Sequence, residues 1–447
     1  MLSIMKKLNN PKFLILFFYN IFISACIYFF QFYLFKDSVD YFICTDIDEF
    51  MISILSFEIN LIYPYSCDLE AYIYGIENFP NLLNLENYVY VNRPLFILYM
   101  YFIYSILKIL LSSLLLSNVL IIQISFYFAQ IILSTLITML ICTVLSLKNI
   151  EIGSNFYYFP IIILLSPVFK WHLFESTSMT FTLLLMVYAV YLISLQPEKL
   201  QWFHFFFAGS LYLVHRSAVL IIVFYLLNNF LSKQMLKKNF QNTFIFSIPL
   251  IIFYSILNLF STYTDHQGAD YRQFVWIFDY LQGLSTESSG YFCQTPLAAI
   301  KCYLVDFSNL VYYLLTPILV LFFYFSINMR KISSDTKNLI IYFFLYSMLT
   351  NLFWLFIGWY PPIRFSYYGL GNLVVLCSLL IFITGLDKFS KNLFVIAYVL
   401  YFLLLNHWNY SEVLIYTPYI YTSVLIFVMF LYYSRVNLLN KSKHETN

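Results

Sequence analysis

Apolar runs of membrane-spanning length recur along this chain, separated by short polar breaks. They fall near 12–35, 94–112, 118–147, 156–169, 177–195, 202–214, 217–231, 240–260, 303–328, 338–358, 365–385, 392–406 and 413–434, each bounded by charge or by Pro, Gly and Asn. A helix that crosses the hydrocarbon layer needs roughly 17–25 residues. The pattern therefore predicts an all-α, polytopic integral membrane protein with about 11–13 transmembrane helices. Two runs, 156–169 and 202–214, are too short for an upright span. Each ends in a polar knot, Lys170-Trp171-His172-Leu173-Phe174-Glu175 and His215-Arg216. Such runs are expected to be half-helices that stop inside the membrane or at a cavity, where protein or water satisfies the broken backbone. The apolar stretch 50–64, interrupted by Glu58, is expected to lie along the interface.

Composition agrees with the pattern. The apolar fraction is 62% and the charged fraction 10%, with a mean hydropathy of +0.78. That leaves too little polar surface to cover the chain in water, where a soluble domain carries about 25% charged residues. A formal net charge of +2 gives no case for nucleic acid. The first apolar run, Phe13 to Phe35, is longer than a cleavable signal core and lacks a small-x-small cleavage site, so it reads as a retained signal anchor.

Positive residues set the expected orientation. Lys6, Lys7 and Lys12 precede the first span, and Lys233, Lys237 and Lys238 share one loop. Arg330, Lys331 and Lys337 share another, Lys388 and Lys391 a third, and Arg435, Lys441 and Lys443 close the chain. Alternate crossings put these on one face, taken as cytoplasmic, with both termini. The opposite face then holds the acidic loop 36–93, the loop 261–302, the Tyr360–Arg364 turn and His407–Glu412. Residues 1–447 form one membrane domain, with N-terminal helices over 1–231 and C-terminal helices over 232–447. If 202–231 is one span, the Lys170–Glu175 knot lies inside; if it is a short hairpin, that knot and His215-Arg216 lie outside. The hairpin is preferred, because His-Arg in mid-span is costly. Cys44 with Cys67, and Cys293 with Cys302, share exported loops and are compatible with disulfides, free thiols or cross-loop pairing.

The loop 36–93 carries most of the candidate chemistry. Thr45-Asp46-Ile47-Asp48-Glu49 has alternating carboxylates, Asp46 and Asp48, suited to chelating a divalent cation between sugar phosphates. Cys67-Asp68-Leu69-Glu70-Ala71-Tyr72 puts Asp68 and Tyr72 on one helical face, with Glu70 between them. Asn92-Arg93-Pro94 follows, and Pro94 suits a first helical turn, leaving Arg93 at the membrane surface. His172 and Glu175 lie three apart and share a helix face, and Arg364 follows Pro361-Pro362 as Arg93 precedes Pro94.

An acidic residue with a following Tyr in the first exported loop, then Arg-Pro opening a span, resembles the polytopic C-type glycosyltransferases. So do Phe174-Glu175-Ser176 after a short helix and Val214-His215-Arg216 at the end of another. The resemblance covers about residues 1–230. It implies transfer of a sugar from a polyprenyl-phosphate donor to a glycan, lipid or protein acceptor on the exported side of a bacterial plasma membrane. It further implies Asp68 as general base with Asp48 as second candidate, and Arg93, His215 and Arg216 as donor-phosphate contacts; outside the resemblance, Arg364 repeats the Arg93 setting and is expected to be a second phosphate or sugar contact. Glu70, Tyr72, His172 and Glu175 become substrate contacts. The physics is coherent: a carboxylate takes the acceptor proton, and fixed positive charge stabilises the departing phosphate. An O-antigen-type polymerase or ligase would use Arg93, Arg216 and Arg364 equally well. A transporter is the third class, disfavoured by the few ionisable residues within the spans.

Overall fold

A computed structural model describes residues 11–35, 52–54, 57–59, 69–79, 93–114, 116–148, 150, 157–165, 180–196, 199–231, 236–261, 334–356 and isolated helical positions between 376 and 396. The chain is helical over these residues, apart from one short hairpin. In order, the elements are α1 (Pro11–Phe35), β1 (Ile52–Ile54), β2 (Phe57–Ile59), α2 (Leu69–Asn78), α3 (Pro94–Leu111), α4 (Asn118–Leu147) and α5 (Tyr158–Leu164). There follow α6 (Thr180–Ser194), α7 (Trp202–Tyr212), α8 (Val219–Leu231), α9 (Leu236–Ser261) and α10 (Ser334–Phe356). Short 3-10 turns, Ser112–Leu114 and Arg216–Ala218, extend α3 and open α8.

Three described helices are long and apolar enough to cross a membrane, within Pro94–Leu114, Leu120–Leu147 and Lys237–Ile256. Their outward faces fit that solvent: Ile109, Leu110 and Phe240 are each at least 65% exposed. α6 is different. Every residue from Phe181 to Leu192 is buried, and the helix packs on α4, α8 and α10. A helix apolar on all sides belongs in the middle of a bundle. With 15 residues it is only about 22 Å long.

The segment 202–231 is a helical hairpin. The Phe205 and Tyr225 ring centroids lie 4.9 Å apart, whereas twenty residues of unbroken helix would separate them by about 30 Å. The break at Leu213–His215 therefore reverses the chain. α9 returns alongside both arms. Asn229 Nδ2 donates to Asn239 Oδ1 at 2.7 Å, and Asn242 Nδ2 donates to the Tyr225 hydroxyl at 2.9 Å. Against α7 the approach is closer still, since a Cβ on Gly209 would collide with the Phe246 carbonyl oxygen. α1 joins α4 through polar contacts, Asn20 Nδ2 to Thr135 Oγ1 at 2.9 Å and Ser24 Oγ with Ser134 Oγ at 3.1 Å.

Within the 50–64 stretch, expected to lie along the interface, β1 and β2 pair antiparallel in the register Ile52–Ile59, Ser53–Glu58, Ile54–Phe57. β-branched Ile on both strands favours this local pairing. The runs 303–328 and 413–434, and most of 365–385 and 392–406, lie outside the described residues, as do Cys44, Cys67, Cys293 and Cys302.

Candidate functional site

The start of α3 is built around Arg93. Pro94 needs no hydrogen-bond partner for its nitrogen and presets a helical φ. The Arg93 carbonyl then accepts from the backbone N–H of Phe96 at 3.0 Å and of Ile97 at 3.2 Å. This arrangement leaves the guanidinium at the lip of the helix. Its Nη1 donates to the Tyr72 hydroxyl, and its carbon lies 5.8 Å from the Tyr72 ring centre.

Tyr72 is fixed by packing. Its ring is completely buried and meets Phe96 edge-on at 5.0 Å. Phe96 in turn meets Phe181 of α6 edge-on at 5.9 Å, and Tyr99 meets Phe181 at 5.8 Å. An aromatic wedge from three helices thus holds the phenol that orients Arg93.

The same helix start is stitched to the tip of the α7–α8 hairpin. Leu95 carries a backbone N–H that α3 itself cannot satisfy, and Leu213 a carbonyl just past the end of α7. They satisfy each other at 3.2 Å. Two and three residues beyond Leu213 come His215 and Arg216, the first buried and the second half-buried. The backbone tightens here, with Val214 N–H donating to Leu211 O at 3.0 Å and His215 N–H to the same oxygen at 2.9 Å. The tip therefore presents its side chains without a Gly or Pro.

The structure brings Tyr72, Arg93, His215 and Arg216 to one end of the bundle. Arg93 and Arg216, with the buried His215, belong to the starts of two helices joined by the Leu95–Leu213 backbone bond, the ends with positive dipole character. This is a setting for an anion, and Arg matches paired phosphate oxygens with its planar fork.

Glu70 lies in the first turn of α2, two residues before Tyr72. Asp46, Asp48, Asp68, His172, Glu175 and Arg364 lie outside the described residues. Among the described residues no group of three His, Cys, Asp or Glu side chains could hold a metal ion. Ser217 was missed from sequence. It contacts His215 Nδ1 through both its hydroxyl and its backbone N–H. The available signal was a His two residues before a Ser at a helix start, the spacing at which a capping side chain meets a backbone N–H.

Comparison with family models, with characterised proteins and with solved structures finds no match to this chain.

Proposed function

We propose that the chain is a polytopic membrane glycosyltransferase that takes a sugar from a polyprenyl-phosphate donor and passes it to a glycan, lipid or protein acceptor. In this reading about a dozen helices cross a bacterial plasma membrane, both termini are cytoplasmic, and the loop 36–93 is exported. One observation carries it: Arg93, held by Tyr72, is stitched through Leu95 and Leu213 to the hairpin tip that bears His215 and Arg216. Fixed positive charge at the start of a membrane helix suits a lipid phosphate, whose negative charge grows as the sugar leaves. Tyr72 serves by aiming the guanidinium, since it has no exposed surface of its own. Asp68, one residue before α2, is the proposed general base, with Asp48 second, and Asp46 with Asp48 the proposed divalent-cation ligands. Glu70, His172, Glu175 and Arg364 are assigned to the donor and acceptor sugars and phosphate.

The test is glycan assembly in the native host with Arg93→Ala, Asp68→Ala and Asp48→Ala chains at normal expression. Loss with Arg93→Ala and with one of the two Asp variants is the expected result. Unaltered glycan in all three would sink the proposal. Loss with Arg93→Ala and Arg364→Ala, with both Asp variants fully active, would instead favour a polymerase or ligase that works through arginine alone.

A further inference from the structure

α2 stands beside α3 rather than across its end. Tyr72, near the start of α2, meets Phe96 at 5.0 Å between ring centres, and Phe79, one residue past the end of α2, meets Tyr101 at 4.3 Å. Residue numbers rise together along the two helices, so they run side by side in one direction. Pro94–Leu114 is one of the described stretches long and apolar enough to cross a membrane, and its 21 residues reach about 31 Å, against a hydrocarbon layer of about 30 Å. The whole stretch is needed to cross, and none of α3 is left to stand above the membrane. Its outward side chains agree, since Leu98 and Phe102 are already exposed and apolar. Tyr101 lies about 12 Å along α3 from Arg93, and the end of α2 lies there with it.

We infer that α2 is a re-entrant half-helix, and that its Tyr74–Glu77 face lines an aqueous cleft entering the membrane from the side on which Arg93 lies. Polar groups at membrane depth must be met within the protein or by water. At the tip, the Asn78 amide folds back on its own helix, Nδ2 donating to the Tyr74 carbonyl at 2.8 Å. Tyr72 and Ile76 are fully buried where α2 packs on α3. Glu77 is exposed, five residues and about 8 Å further along the helix than Tyr72. A carboxylate at that depth is costly against acyl chains, whereas water in a cleft keeps it hydrated. The inference stands on the packing of α2 and on α3 as a span, and does not need the transferase reading. For a lipid-linked substrate, such a cleft is a lateral route by which a polar headgroup reaches Arg93 without leaving the membrane.

The full chain in lipid nanodiscs, open to reagents on both faces, separates the outcomes. Phe79→Cys with Tyr101→Cys, in a chain otherwise free of cysteine, should cross-link with a short bifunctional thiol reagent. Where the cysteine-free chain fails to fold, a photoreactive phenylalanine at Phe79 of the otherwise unmodified chain reads the same contact, by an adduct on the peptide that bears Tyr101. Depth and wetness are read together by comparing Glu77→Cys with Leu98→Cys, with labelling measured at each site by mass spectrometry. The two positions each lie five residues past the Tyr72–Arg93 contact, hence at one level. A charged maleimide should label Glu77→Cys roughly tenfold faster or more, because acyl chains shield Leu98, while a small apolar maleimide labels both. Absence of the Phe79–Tyr101 link by either method overturns the re-entrant helix. Equally rapid labelling of both sites by the charged reagent places this part of α3 in water and overturns it too. Equally slow labelling of both places Glu77 against lipid and overturns the cleft.

Discussion

Arg93 and Tyr72 divide one task between charge and aim. Tyr72→Phe keeps the ring against Phe96 and removes only the oxygen that accepts from Arg93 Nη1. The fold should survive, with thermal unfolding near that of the parent, while glycan assembly drops about tenfold or more, in line with about 1.5–3 kcal/mol for a hydrogen bond to a charged group. Equal activity of the two chains would show that the phenol oxygen does not matter to the site. Arg93 and Tyr72 were both legible in the sequence, because Arg before Pro marks a helix start and a Tyr four residues after Asp68 marks a helix face. What could not be read was that Tyr72 faces inward to Arg93, since that depends on Phe96 and Phe181 arriving from different parts of the chain. Ser217 was illegible for a similar reason. A serine beside a helix start has many uses, and only the geometry shows its hydroxyl and its backbone N–H against one imidazole nitrogen.

Among the elements, the reversal at Leu213–His215 has the largest consequence. Hydropathy could not decide between one span and two arms, because both arms are apolar and no Pro or Gly marks the turn. The packing decides it through the Phe205–Tyr225 contact. Phe205→Cys with Tyr225→Cys, in a chain otherwise free of cysteine, should cross-link with a short bifunctional thiol reagent; a continuous helix would leave the two thiols about 30 Å apart and unlinked. Gly209 is the second element-scale constraint. It lies inside α7 and serves close approach rather than a turn, with the Phe246 carbonyl where a Cβ would be. Gly209→Leu must push α7 from α9, and overpacking of this kind costs about 1–3 kcal/mol. Lower yield and a lower melting temperature in detergent are the expected readouts. The helix bounds themselves were largely legible: the run at 118–147 coincides with α4, and that at 94–112 with α3 to within a residue. The hairpin of β1 and β2 was not, because six residues of local pairing leave no mark on a spanning-length window.

For the molecule as a whole, the hairpin links the basic loop to the candidate site. α8 runs from the tip at Arg216–Ala218 to Leu231, and Lys233, Lys237 and Lys238 follow directly. The tip lies at one end of α8, and Lys237 and Lys238 open the helix that follows its other end. The 13 residues of α8 cover only about 20 Å, against a hydrocarbon layer of about 30 Å. If the lysines rest among headgroups on the cytoplasmic side, the tip sits within the far half of the membrane, reachable from the exported side by a phosphate but not by bulk solution. Two measurements follow from that placement. Alkaline phosphatase fused after Asn92 should be active, and a fluorescent protein fused after Gln234 should fluoresce, marking opposite sides. A cysteine at Arg216 in a cysteine-free chain should react slowly with a charged, impermeant maleimide added outside, yet readily with a small apolar one. Rapid labelling by the charged reagent would place the tip in open water. The low-dielectric setting that strengthens the pull of Arg93 and Arg216 on a phosphate would then be lost, and with it the physical basis for placing lipid-linked chemistry at this end of the bundle.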